Sequence, residues 1–112
     1  MKKVKIVLAD EFKRQFKRLS KKHSSLIQDF ISFKKELAKD PLQGDDLGHH
    51  VRKIRMAITS KGKGRSGGAR VLTYNIFVSD TGDMEVTLLT IYDKKEISNV
   101  TDTYIKWLIS QI

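Results

Sequence analysis

Hydrophobic and polar residues alternate over residues 4–8, which is the two-residue period of a strand. From residue 10 to residue 40 the apolar positions recur at helical spacing, with one interruption near His23. The dipeptide Asp40-Pro41 ends this pattern, because a proline disfavours helical backbone in the residue before it. The first third of the chain therefore predicts a strand followed by two helices in an αα-hairpin.

Residues suited to helix capping stand at the expected starts of the helices. Asp10 precedes the first apolar stripe, and Thr101 precedes a last stripe that runs to the C-terminus. Ser25 is followed three residues later by Gln28, which is the spacing of a capping box. The side chains of Asp10, Ser25 and Thr101 are each expected to accept a hydrogen bond from the first helical turn.

The second half of the chain alternates with the period of strands. Three strands are expected, at 51–58, 71–78 and 85–92. The Gly/Asp-rich stretch 43–50 predicts a loop, and residues 79–83 predict a hairpin turn. The order β-α-α-β-β-β-α is typical of an α+β fold, so we expect a mostly antiparallel sheet with the helices packed on one face and the other face partly open.

Length and composition limit the classes of protein. A chain of 112 residues with 39% hydrophobic residues is expected to form a single domain, residues 1–112, with one core of two layers. No apolar run is long enough to cross a bilayer, and Met1-Lys2-Lys3-Val4 leads into a strand rather than a signal segment. A cytoplasmic location without membrane contact is therefore expected. The lack of cysteine excludes disulfides, thiol catalysis and zinc-thiolate sites, and no metal site is predicted.

Positive charge is concentrated in two segments. The formal net charge is +9, and residues 1–22 contain nine Lys and Arg against two acids, while residues 52–70 contain seven with no acid. Because segregated charge costs self-repulsion, a polyanionic partner is expected, with nucleic acid ahead of an acidic protein or a membrane surface. A solvated basic face that serves solubility is the alternative.

The stretch SKGKGRSGGARVLTY, residues 60–74, joins a glycine-rich cationic segment to a strand. Residues 62–67 have the letters of the dinucleotide motif GxGxxG, but a strand follows where that motif needs a helix, and no GxxxxGK[ST] run is present, so no cofactor is predicted. Glycines allow close approach of the backbone, and Lys61, Lys63 and Arg65 supply cations, which favours a loop that clamps phosphates. An ordinary mobile hairpin loop is the alternative.

Strand period places four further residues on one face of the sheet. Lys53 and Arg55 have the same parity on one strand, Arg70 begins the next strand, and Tyr92 ends the one after. Such cations could hold RNA phosphates while the tyrosine ring stacks on a base, although a core position for Tyr92 is equally open.

Three segments resemble the RelE/ParE superfamily of bacterial toxins, and most closely its HigB-type branch: VRKIR at 51–55, SKGKGRSGGARVLTY, and LTIYDKKEISN at 89–99. The resemblance, strong over about residues 50–100, implies a RelE-like, microbial-RNase-like fold. It also implies a type II toxin-antitoxin system toxin, a metal-independent endoribonuclease (a hydrolase) that cuts mRNA in the 30S A site, inhibits translation and arrests growth. The implied partner is a HigA-like helix-turn-helix antitoxin, through which alone the complex would contact DNA.

The candidate residues form two sets. Those expected at the scissile phosphate are Lys53, Arg55, Arg70 and Tyr92, and those expected to bind RNA are Lys61, Lys63, Arg65, Lys94 and Lys95. RelE carries a tyrosine near the position of Thr101, where this chain has none, so Tyr92 is the nearest phenol.

Metal-free cleavage needs a base, an acid and charge stabilisation. Arg55 and Arg70 stay protonated and can stabilise charge, whereas Lys53 is the candidate base if like charges around it favour its neutral form. Simple phosphate contact is the alternative for Lys53. The histidines are weaker candidates: His49 and His50 lie in a predicted loop, and His23 lies at a helix end.

Two other functions remain open. A ParE-like relative poisons DNA gyrase and does not need the basic set for phosphate chemistry. A non-catalytic protein that binds RNA or the ribosome would use the same charges without cleaving.

Overall fold

The computed structural model of the protein describes residues 3–78 and 80–112, and within them places three α-helices and five strands in one α+β fold. In chain order the elements are β1 (Val4–Leu8), α1 (Asp10–Ser20), α2 (Leu26–Lys39), β2 (Asp45–Asp46), β3 (Val51–Met56), β4 (Ala69–Phe77), β5 (Met84–Asp93) and α3 (Asp102–Ser110). The α+β class expected from the sequence is confirmed. The stretch 43–50 was expected to be a loop throughout, and this is wrong because β2 pairs with β3 there. Ser79, in the predicted hairpin turn, lies outside the described residues.

The sheet has the strand order β1-β5-β4-β3-β2. The first strand runs parallel to β5, from Val4 opposite Met84 to Leu8 opposite Leu88, and the other pairs are antiparallel, as expected. The pairing of β4 with β5 shifts by one residue after Leu72, which leaves Leu89 as an extra residue on β5. None of the helices in the described ranges combines the length and apolarity needed to cross a membrane.

Helices cover both faces of the sheet. Residues of α1 and α2 pack with Val71 and Leu88 in one core cluster, whereas Leu72 and Leu89 pack in a second cluster with Ile105 and Leu108 of α3. Each of these named sheet and α3 side chains is less than 2% exposed. The expectations of helices on one face and of a two-layer core are therefore wrong. The physical reason is that β4 and β5 carry apolar side chains on both faces, and both faces must be covered.

Only one of the three predicted caps is present. Thr101 accepts a hydrogen bond from the Tyr104 backbone at 3.1 Å, as expected. Asp10 lies inside α1 instead of before it, and Ala9 occupies the N-cap position. Ser25 is the N-cap of α2 without a side-chain cap bond, because its hydroxyl is bonded to the Asp29 carboxylate at 2.7 Å. The capping predictions for Asp10 and Ser25 are wrong.

Candidate functional site

The four residues expected at the scissile phosphate lie on one face at one end of the sheet. Arg55 on β3 is directly opposite Arg70 on β4, and Arg70 is directly opposite Tyr92 on β5. Directly opposed residues in antiparallel strands place their Cβ atoms about 4.5–5.5 Å apart on the same face. Lys53 lies two residues before Arg55, so it shares that face. We call Lys53, Arg55, Arg70 and Tyr92 the candidate site.

Arg70 is buried, with 8% of its surface exposed, and its guanidinium shapes the loop beside it. It donates to the backbone oxygens of Arg65 at 3.2 Å, Ser66 at 3.0 Å and Ala69 at 3.2 Å. In the part of the chain that the structure describes, no carboxylate oxygen lies within 4.0 Å of its nitrogens. The site therefore holds a permanent positive charge that the protein solvates with carbonyl groups and does not neutralise.

Tyr92 is part of the second core cluster, and only 4% of its surface is exposed. Burial raises the pKa of its phenol, and the positive charge of Arg70 only partly offsets this effect. The hydroxyl therefore stays protonated at neutral pH, where it can donate a hydrogen bond. A base cannot stack on a ring covered to this extent, so the stacking role expected from the sequence is wrong.

Arg55 and Lys53 face a shallow groove at the open edge of the sheet. Arg55 is exposed, and none of the described carboxylates lies within 4.0 Å of it. The groove has a volume of about 350 Å³ and is lined by Gln43, Gly44, Asp45, Lys53, Ile54, Arg55 and Arg65. Asp45 on β2 is directly opposite Lys53, so like charges alone do not surround this lysine.

The segment 59–68, which we call the basic loop, begins with a single 3-10 turn at Thr59–Lys61 and leads directly into β4. The strand that was expected after its glycines is present as β4. Two of its cations have internal partners: Lys61 contacts Asp93 at 2.9 Å, and Arg65 contacts Glu36 at 2.7 Å. Lys61 is thus an anchor of the loop, and RNA binding by Lys61 and Arg65 stays a prediction.

The cations that point outward are Lys63 in the basic loop and Lys94 and Lys95 after β5. All three are exposed, and within the described ranges none of them lies within 4.0 Å of a carboxylate oxygen. The backbone N–H of Lys94 donates to the carbonyl of Gly68 at 3.1 Å, which fastens this segment to the end of the basic loop. These positions are available for contact with an extended anionic chain.

Asp93, at the end of β5, is a charged residue that sequence reasoning missed. It accepts hydrogen bonds from Lys61 at 2.9 and 3.1 Å and from the Lys95 backbone at 3.1 Å, and it lies 3.5 Å from the imidazole of His23. Burial alone would raise the pKa of its carboxyl, but these donors and charges hold it below its ordinary value. Its position directly after Tyr92 was the only signal, since Lys61 and His23 are distant in the sequence.

The histidines do not form a metal centre with nearby carboxylates. Within residues 3–78 and 80–112, no group of three or more His, Asp or Glu side chains is placed to hold a metal ion. His49 and His50 both have positive φ, 57° and 63°, in the turn between β2 and β3, and His49 lies 3.6 Å from Asp102.

A search against models of known protein families finds no match to this chain.

Proposed function

We propose that the protein is a RelE-like, ribosome-dependent endoribonuclease, the toxin of a type II toxin-antitoxin system, which cleaves mRNA in the 30S A site and inhibits translation. The observation that carries the proposal is the direct pairing of Arg55 with Arg70 on one face, next to the protonated phenol of Tyr92. In the described ranges no carboxylate oxygen lies within 4.0 Å of either arginine. Two arginines at directly opposed strand positions are suited to contact a single phosphodiester. The sequence resemblance over residues 50–100 supports the same function.

The chemistry is an intramolecular transesterification. The 2′-oxygen forms a bond to phosphorus as the bond from phosphorus to the 5′-oxygen breaks, and the attacking hydroxyl loses a proton while the leaving oxygen gains one. Arg55 and Arg70 stabilise the charge that develops on the phosphate oxygens. The protonated Tyr92 hydroxyl is the candidate acid, and Lys53 remains the candidate base.

The shape of the groove supports the proposed dependence on the ribosome. A groove of about 350 Å³ at an open sheet edge encloses at most a small part of an RNA strand. In-line attack needs the 2′-oxygen, phosphorus and 5′-oxygen to be aligned, and a bound strand gains most of its rate from such orientation. The ribosomal A site, which already holds a codon in a fixed geometry, would supply the alignment that the isolated protein lacks.

Restraint of such a cationic protein requires a partner. The proposed partner is the HigA-like helix-turn-helix antitoxin, encoded next to the toxin and acting in the cytoplasm. The toxin itself would contact DNA only through the antitoxin complex. A small helix-turn-helix reading frame beside this one is the expected genetic context.

The test is cleavage of a defined mRNA by the purified protein in the presence of translating ribosomes, with the 5′ ends of the products mapped. Arg55→Ala is expected to lower the cleavage rate by about 100-fold or more. Arg52→Ala is the matched control, because Arg52 lies on the same strand but on the opposite face, where it donates to Gly44. Equal rates for the two variants, or no cleavage at translated codons by the unmodified protein, would refute the proposal.

One observation favours a second candidate function, a non-catalytic protein that binds RNA or the ribosome. Asp45 is directly opposite Lys53, so a carboxylate interrupts the like-charge surroundings expected for a lysine base. This alternative predicts salt-dependent ribosome binding without new 5′ ends. Gyrase poisoning predicts a DNA damage response with intact mRNA.

A further inference from the structure

The outer side of α1 carries a row of cations that the candidate site does not use. Lys13, Lys17 and Lys21 follow one another at four-residue spacing, which is about 6 Å along a helix. Lys21 lies directly after the last residue of α1, and Lys22 follows it in the same turn. All four lysines are exposed, and in the described part of the chain no carboxylate oxygen lies within 4.0 Å of them. Like charges at this spacing repel and destabilise a helix. A bound polyanion would remove that cost.

The C-terminal end of this row is held next to the segment that follows β5. Arg18, on α1 between Lys17 and Lys21, binds Glu96 through two contacts of 2.8 and 2.9 Å. Glu96 directly follows Lys95, so the exposed lysines of α1 adjoin those of the segment after β5.

Two further contacts fix the turn after α1 to the same region. His23 lies 3.5 Å from Asp93, and Ser25 donates to the hydroxyl of Ser60 in the basic loop at 3.0 Å. The end of α1, the basic loop and the end of β5 therefore meet at one end of the molecule, although they are far apart in the sequence.

The acids at this junction are already occupied. Asp93 binds Lys61, and Glu96 binds Arg18. Burial would raise the pKa of the Asp93 carboxyl, but its hydrogen bonds from Lys61 and Lys95 lower it below the ordinary value. The pKa of the Glu96 carboxyl is also lowered, chiefly by Arg18. They stay ionised at neutral pH and compensate only the cations that they contact. The outward lysines of α1 and of the segment after β5 keep their charge uncompensated, which favours an anionic partner over a neutral one.

We propose that Lys17, Lys21 and Lys22 form a second RNA-contact surface, continuous with Lys94 and Lys95, that binds phosphates of the RNA chain outside the cleaved bond. This inference rests on the proposed function for the identity of the RNA, but it concerns binding and not cleavage. Because these lysines would contact phosphates and not the edges of bases, the contact is independent of the RNA sequence. It would raise affinity and association rate while leaving the choice of codon to the ribosome.

The test compares two triple variants of the full-length protein by binding to a defined single-stranded RNA across a range of KCl concentrations. In Lys17→Gln/Lys21→Gln/Lys22→Gln, the slope of log K against log salt is expected to fall by roughly 2, since each lost phosphate contact removes about 0.7. The matched control replaces three lysines of α2 with glutamine: Lys34, Lys35 and Lys39. The control is expected to retain nearly the whole slope.

Equal losses of slope in both triples would show a general effect of net charge and overturn the proposal, as would an unchanged slope in the α1 triple. Displacement of the RNA by polyglutamate at equal charge concentration would instead assign the surface to an acidic protein. Cleavage measured with ribosomes separates the two proposals. A selective loss of slope without any cleavage by the unmodified protein would retain the RNA surface and reject the nuclease.

Discussion

Replacement of Arg70 tests whether one side chain both builds the basic loop and serves the candidate site. In Arg70→Ala the backbone oxygens of Arg65, Ser66 and Ala69 lose their guanidinium donor. Water can reach part of this loop, so the net loss is set at about 1.5–3 kcal/mol, the range for a hydrogen-bonded charged group rather than the sum of three. Since a domain of this size has about 5–15 kcal/mol of stability, the variant is expected to stay folded.

The loss of stability is measurable by thermal unfolding followed by circular dichroism. For a chain of about this length, 1 kcal/mol corresponds to roughly 4 °C, so Arg70→Ala is expected to lower Tm by roughly 6–12 °C. Cleavage on translating ribosomes, assayed well below both midpoints, is expected to fall by about 100-fold or more. Arg70→Lys keeps the charge but not the planar fork, so its Tm should resemble that of Arg70→Ala while its cleavage rate lies between alanine and wild type.

The two readouts separate the two roles of Arg70. A Tm equal to that of the unmodified protein would show that the three carbonyl contacts contribute nothing to the loop. A lowered Tm with an unchanged cleavage rate would remove Arg70 from the chemistry and leave it as a purely structural residue. If both values stayed unchanged, the reasoning from this geometry would fail completely.

Two more substitutions probe the same end of the molecule. Gly68→Ala is expected to destabilise the protein by about 1–3 kcal/mol in urea unfolding. The added Cβ would collide with the backbone oxygen of Met56, which cannot move aside. The control is Ser66→Ala, and equal unfolding midpoints for the two variants would contradict this expectation. Asp93 has a lowered pKa in the folded protein, so its contribution to stability is present above its ordinary pKa of 3.8 and is lost as the pH falls further. Asp93→Asn is therefore expected to be less stable than wild type at pH 7 and to lose less stability on acidification. If the free energies of unfolding of the two proteins changed in parallel with pH, the Lys61 contact would not have the role given to it here.

The strands and their parity could be predicted because both are local properties of the sequence. Alternation alone placed Lys53 and Arg55 on one face of β3. The start of β4 placed Arg70 opposite Arg55, and the end of β5 placed Tyr92 opposite Arg70. The exposure of each residue could not be predicted in this way. Strand parity puts Arg55 and Tyr92 on the same face, yet Arg55 is exposed and the ring of Tyr92 is buried. The burial of Tyr92 depends on α3, which comes later in the chain.

The position of α3 was missed because the pattern of β5 is ambiguous. Leu88 and Leu89 are adjacent and apolar, yet they pack into opposite core clusters, since the register shift lets neighbouring residues serve both faces. A strict alternation predicts one buried face, whereas this continuous apolar run requires two. The capping hydrogen bond predicted for Ser25 is absent because the hydroxyl is bonded to Asp29 and Ser60 instead. Ser60 is 35 residues away in the sequence, so this competition could not be predicted from the local pattern.

The basic loop illustrates how a cation-rich segment can bind without first losing much freedom. Its first turn is tied to α2 by Thr59, whose backbone donates to Asp29 at 2.9 Å, and its end is tied by Arg70. Lys61 is fixed by Asp93 at 2.9 Å, whereas Lys63 between these tethers is exposed. Because the backbone is already ordered, a phosphate that meets Lys63 would cost mainly side-chain entropy. The inward cations thus hold the loop in place, and the outward cations are left for the ligand.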